Sequence, residues 1–246
     1  MKYITMISVY LMITFNHFPS AHSQSISHEI FDGLLKKYVN AQGNVDYAGM
    51  KKDQKTLNSY LDLLSKNEPN SNWSREEQIA YWINAYNAFT ISLVVKHYPV
   101  ASIKDIKRGI SFINSVWDIK FIKIGKETYD LNNIEHSILR KKFNEPRIHF
   151  AINCASYSCP RLSSEAYTAS KIDAQLSTAA RGFLSDKTKN DIQQDHLMIS
   201  KIFDWFAGDF KKNGSLIDFL NQYAPKKINS SAKIDFYEYN WALNKQ

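Results

Sequence analysis

A helix with almost no polar side is the strongest constraint this chain carries. Ser74-Arg75-Glu76-Glu77 has the form of a capping box, in which the serine oxygen takes the amide of Glu77 and Glu77 reaches back. From there Ile79, Trp82, Ile83, Tyr86, Thr90, Leu93 and Val94 recur on one helical face. Ala80, Ala88, Ile91 and Val95 make the other side nearly as apolar, and Pro99 marks the end. A helix apolar on most sides belongs at the centre of a fold. It does not read as a membrane span: the run between Glu77 and Lys96 falls short of the ~20 residues needed and contains Asn84 and Asn87. Those asparagines share a face. A buried amide without a partner costs roughly 1–3 kcal/mol, so they either hold neighbouring backbone or orient a group in a site.

The rest of the chain mixes helices and strands without βαβ alternation. This predicts an α+β fold, a single domain over 24–246, with the long helix packed on a small, mostly antiparallel sheet. Helices are expected over Ser27–Asn40 and Lys51–Lys66, around a brief extended piece at Val45-Asp46-Tyr47. A helical turn is expected over Ser102–Lys107. Asp118–Asp130 reads as a hairpin turning at Gly125-Lys126. Asp130 or Asn132 then caps a helix on which His136 and Arg140, four apart, face the same way. Glu135 is rotated about 100° from His136, free to serve another partner. Ser164 and Ser170 read as helix caps, Asp191–Ser200 as a second hairpin, Ile202–Phe210 and Leu216–Tyr223 as short helices, and Ile234–Trp241 as an aromatic final strand.

The first residues read as a leader. Lys2 gives a basic start, Ile4–Phe15 is a mostly apolar run without an acidic residue, and Ala21-His22-Ser23 is a small-x-small cleavage site. The expectation is a secretory signal peptide over 1–23, a mature start near Gln24, and an exported protein, periplasmic or secreted, with no stable membrane span after cleavage. No cysteine lies near the cleavage site, so lipoprotein anchoring is not supported. The formal charge of +7 is dispersed without a long Lys/Arg run, which argues against nucleic-acid binding.

Chemistry concentrates in Pro146–Leu162, PRIHFAINCASYSCPRL. Arg147, His149, Ala151 and Asn153 alternate with Ile148, Phe150, Ile152 and Cys154, which predicts a strand carrying a polar row. The strand breaks into small polar residues and stops at Cys159-Pro160. Both cysteines of the chain lie here. One reading is thiol catalysis: Cys154 as nucleophile, His136 or His149 as base, Glu135 orienting it, Asn153 with loop amides as oxyanion donors, and Ser156 beside them as a substrate contact. Arg140 and Arg147 are candidates to grip a carboxylate on the substrate, or to pair with Glu135. The other reading is a Cys154–Cys159 disulfide closing a short loop, as export favours. A metal site is not expected, because the Cys and His spacing matches no standard zinc pattern; no cofactor is expected either.

These residues resemble a known family. Trp82-x-Asn84-x-Tyr86-Asn87, Ile134-Glu135-His136-x-x-Leu139-Arg140, the block from Pro146 through Asn153-Cys154-Ala155-Ser156-x-Ser158-Cys159-Pro160, Ser200-Lys201-Ile202-Phe203-x-Trp205 with Asp209-Phe210, and Tyr239-Asn240-Trp241-x-Leu243-Asn244 are similar to the domain of unknown function 547 family. Asn240 departs from the aspartate expected before the last tryptophan. The resemblance implies exported bacterial members and plant members with a coiled-coil region. The same two-cysteine block in chains expected inside the cell speaks against a purely disulfide role. A long buried helix ahead of a His-bearing strand is also broadly similar to papain-like and transglutaminase-like folds, at the level of fold alone. There the nucleophilic cysteine opens the helix, and this helix has none. The expected function is therefore a thiol-dependent hydrolase or acyl transferase on amide or peptide-like substrates. The alternative is a non-catalytic module that binds a small molecule, a peptide or a protein.

Overall fold

The computed structural model describes residues 26–106 and 115–246. The leader expected over 1–23 and Lys107, the end of the expected 102–107 turn, lie outside the described residues. The chain enters through α1 (Glu29–Tyr38), α2 (Tyr47–Lys52) and α3 (Gln54–Lys66). The helix expected over 51–66 is thus two. Asp46 starts α2 by accepting the Gly49 amide (2.8 Å), so Tyr47 opens a helix and is not extended. Asp53 breaks the run, its carboxylate held by Lys37 and by the Tyr38 hydroxyl, each at 2.7 Å.

α4 (Arg75–His97) is the central helix. Its capping box closes both ways: the Glu77 amide donates to Ser74 Oγ (3.1 Å) and the Ser74 amide to Glu77 Oε2 (2.7 Å). From Ile79 to Val95 every residue except Ser92 is buried, as a helix without a polar side requires. Its walls are mainly α2, α3 and the helical segment 131–143. The hairpin of β1 (Ile122–Ile124) and β2 (Glu127–Tyr129), antiparallel with Ile122 opposite Tyr129, adds Ile122 and Ile124 to the same core. In the 131–143 segment the middle, Asn133–Leu139, is wound as a π-helix and the last turn, α5 (Arg140–Phe143), as an α-helix. Asp130 caps it, accepting the Asn133 amide at 2.6 Å.

A second core lies beside the first. α6 (Ile172–Leu184), β3 (Asp191–Ile192), β4 (His196–Ile199), α7 (Ile202–Trp205), α8 (Ala207–Phe210), α9 (Leu216–Leu220) and β5 (Lys233–Phe236) surround it. The sheet order is β3-β4-β5, the first pair antiparallel and the second parallel. Phe150, Phe183, Phe203, Phe210 and Phe219 fill the centre, with ring centroids 5.0–6.2 Å apart. Ser170 lies inside a 3-10 turn (Ala169–Lys171) and Ser164 in a bend, so neither stands at the cap of α6, which is Lys171.

The strand expected from Arg147 to Cys154 is absent; Pro146–Phe150 is a 3-10 helix. Pro146 sets a helical φ and has no N–H to give a ladder, and Glu145 accepts the Arg147 amide at 3.2 Å. The misleading alternation has a physical origin. This segment runs between the two cores, sending Ile148, Ala151 and Ile152 into the first and Phe150 into the second. An element with apolar neighbours on both sides mimics a period of two. The final strand also differs from expectation: β5 ends at Phe236, and the chain beyond it crosses the cysteine loop. Tyr157 N donates to Ala242 O (2.7 Å), Ser158 N to Asn240 O (3.2 Å) and Asn244 N to Ala155 O (3.2 Å).

Candidate active site at the cysteine loop

The loop from Cys154 to Cys159 is held from below by amides. Asn87 on α4 donates to Ala151 O (2.9 Å) and accepts the Asn153 amide (2.8 Å). Asn153 donates to Pro160 O (2.8 Å), and its Oδ1 accepts from Ala155 N (2.8 Å) and Asn244 Nδ2 (3.2 Å). Both ends of Asn153 are therefore committed to shaping the loop. Ala155 takes a left-handed φ of 61° although it carries a Cβ, a conformation non-glycine residues adopt only when the surroundings impose it. The result is a tight return that brings the two sulfurs together. The Cys154 amide donates to Cys159 Sγ at 3.0 Å, and no bond joins the two sulfurs in this structure.

Above the loop is a cavity of about 150 Å³. Cys154, Cys159, Glu135, His136 and His149 all line it, so the four candidate catalytic residues meet in one place. The Tyr239 hydroxyl lies 3.4 Å from each sulfur and 3.0 Å from Ser156 Oγ, which is itself 3.1 Å from Cys154 Sγ. Trp117, Trp205, Phe206 and Trp241 form aromatic walls.

The two thiols titrate as a pair. Burial opposes charge on Cys159, yet the Cys154 thiol, the Tyr239 hydroxyl and the Cys154 amide all donate to it and bring it down to about 6. Cys154 is pushed the other way, first because its thiol is bonded to Cys159 and then by burial. The pair thus loses its first proton early and shares the remaining one. Cys154 is the half-buried member and Cys159 the buried one.

Neither histidine is hydrogen-bonded to a sulfur. His149 Nε2 is 2.8 Å from Asp209 Oδ2, and its ring stacks on Phe206 with centroids 4.1 Å apart. Arg140 Nε donates to the same carboxylate oxygen (2.5 Å), and Arg140 Nη1 donates to His136 Nδ1 (3.0 Å). Burial lowers the pKa of both histidines, against the pull of Asp209, so both rings are neutral at pH 7. Asp209 is held far below the usual carboxylate range: burial works against its charge, but the bonds from His149 and Arg140 outweigh it. Asp209, not Glu135, is therefore the histidine's orienter. Glu135 instead accepts from the Tyr86 hydroxyl (3.2 Å). Burial raises its pKa to about 7, with the Tyr86 bond opposing.

The polar row expected on a strand does not form. Arg147 is engaged with Glu145 (2.7 Å), Asp173 (2.8 Å) and Ser177 (2.8 Å) and does not line the cavity. Asn84 bonds both backbone groups of Tyr167, at 2.8 and 3.0 Å. Asn240, where an aspartate was expected, is exposed and closes a turn by accepting the Ala242 amide (2.9 Å). Among the described residues no group of three or more His, Cys, Asp or Glu is placed to hold a metal ion, and no helix is long and apolar enough to cross a membrane.

Sequence reasoning assigned no role to Asp209, Tyr239, Tyr86 or the tryptophan walls. All but Trp117 stand in the motifs that carry the family resemblance, but nothing local links Asp209 to a histidine 60 positions earlier. No curated protein and no solved structure matches the chain. Residues 70–184, from the loop before α4 to the end of α6, match the model of a family described as "Protein of unknown function, DUF547".

Proposed function

From a chain whose residues 70–184 match the DUF547 family, we propose a thiol-dependent hydrolase or acyl transferase acting on amide or peptide-like substrates, with Cys154 as nucleophile. One observation carries this reading: a hydrogen-bonded thiol pair, two neutral histidines and a protonatable Glu135 line a single aromatic cavity. The sulfur of Cys154, the half-buried member of the pair, attacks the acyl carbon, and its proton passes to the Cys159 thiolate. The Tyr239 hydroxyl, 3.4 Å from the Cys154 sulfur, is the donor nearest the oxyanion. Glu135, poised near neutral pH, gives its proton to the leaving amine. The acyl group now rests on Cys154; water, deprotonated by His149 on its Asp209 support, or an acceptor amine releases it. The leader read from the sequence makes the periplasm or the medium the place of action.

The test is trapping. A chloroacetamide probe should label Cys154 in the native protein, and Cys154→Ser should abolish that label in a peptide-mapped digest. Unchanged labelling in Cys154→Ser sinks the assignment. A second reading, a non-catalytic binding module with Cys154 and Cys159 bridged, draws on the proximity of the two sulfurs and on histidines anchored to Asp209 and Arg140 instead of sulfur. It requires native protein without a free thiol.

A further inference from the structure

The walls of the cavity are larger and more exposed than packing requires. Trp241 lies 4.5 Å from Tyr239, 5.4 Å from Trp117 and 5.9 Å from Trp205, centroid to centroid. Trp205, at the end of α7, is 45% exposed, one of few large apolar side chains left so open. A cluster of this kind above reactive side chains serves recognition more naturally than core formation. Its volume sets the size of the group it holds: about 150 Å³ is the space that accepts one benzene ring. Its charge sets the polarity. Among the described residues no lysine or arginine lines it, Lys104 is engaged with the Trp241 ring at 3.7 Å, Arg140 is committed to Asp209 and His136, and both histidines are neutral. A carboxylate entering here would lose its hydration without a partner cation.

We propose that this cavity binds the single uncharged ring of an acyl group, as in a phenylacetyl amide or a phenylalanyl residue within a peptide, and so presents the adjoining carbonyl to Cys154. The substrate class rests on the reading of Cys154 as nucleophile; the ring site itself does not.

Two readouts on the full chain separate them. The first is quenching of tryptophan fluorescence by phenylacetamide, which reports the ring site without any chemistry. The second is the rate of Cys154 alkylation by N-benzyl-2-chloroacetamide, compared with 2-chloroacetamide, its N-decyl analogue and its 4-carboxybenzyl analogue, each normalised to its rate with free cysteine. The expected result is saturable quenching and a benzyl advantage on the order of tenfold, the scale of one well-formed aromatic contact. The decyl and carboxybenzyl probes should show none. Trp205→Ala should remove the benzyl advantage and Trp205→Phe should restore part of it. Equal normalised rates with no quenching overturn the ring site and leave the nucleophile standing. A decyl probe as fast as the benzyl one also overturns it, in favour of an open apolar groove. Saturable quenching with no labelling by any probe upholds the ring site and refutes the nucleophile.

Discussion

Replacing Glu135 by glutamine removes one buried titration and nearly nothing else. The residue is 8% exposed, and a glutamine oxygen can still accept from the Tyr86 hydroxyl now at 3.2 Å. In the native protein burial raises the Glu135 pKa from 4.5 to about 7. Between these values the unfolded chain has released the proton and the native protein has kept it. The unfolded state therefore binds fewer protons, and stability must fall as pH rises through that window. A single group with these two pKa values loses about 2.5 kcal/mol of stability between pH ~5 and ~8.5. Glu135→Gln lacks this loss, so the variant should gain about that much on the wild type as pH rises over the same range. Urea unfolding of both proteins at a series of pH values measures the difference, and titrations common to the two cancel in it. Parallel stability curves would mean that Glu135 is ionised in the native state at an ordinary pKa. It could then not serve as the acid of the proposed reaction.

Three further substitutions probe the frame of the site. Asn87→Ala strands the Ala151 carbonyl and the Asn153 amide in a buried place and should cost about 2–4 kcal/mol in urea unfolding; a loss under ~1 kcal/mol would mean that the loop is anchored elsewhere. Asp209→Asn removes the charge that His149 and Arg140 share. It should cost about 2–3 kcal/mol, and because Asp209 raises the His149 pKa against burial, NMR titration should find His149 lower still; an upward shift contradicts the geometry. Ala155→Val places a branched side chain at φ 61° and should destabilise by about 2 kcal/mol or more, with Ala155→Gly costing under ~1 kcal/mol. Equal costs would deny that the loop is conformationally forced.

Where order in the chain determines contact, the sequence was readable. The capping box and all-round apolar character of α4 placed it at the centre, and Gly125-Lys126 fixed the first hairpin. Cys154 and Cys159 marked the loop that proves to face the cavity. Two kinds of error have physical causes. The 146–150 segment lies between two cores, and its apolar residues on both sides imitate a strand. Glu135 is adjacent to His136 in sequence and so looked like its orienter, but its carboxylate is turned to Tyr86 while Asp209 arrives from α8. The aromatic walls are assembled from Trp117, Trp205 and Trp241, on segments far apart in the chain. Their meeting depends on the terminal segment that crosses the cysteine loop, and no local pattern encodes it.

The most direct test of the thiol reading is the pH dependence of Cys154 alkylation by iodoacetamide in the native full-length protein, followed by peptide mapping. Because the Cys154 proton passes to the Cys159 thiolate, and Cys159 is the member whose pKa is lowered by its hydrogen-bond donors, the rate should rise with a midpoint well below the ~8.5 of an ordinary cysteine. A midpoint near 8.5, or no alkylation of Cys154 without denaturant, would contradict it.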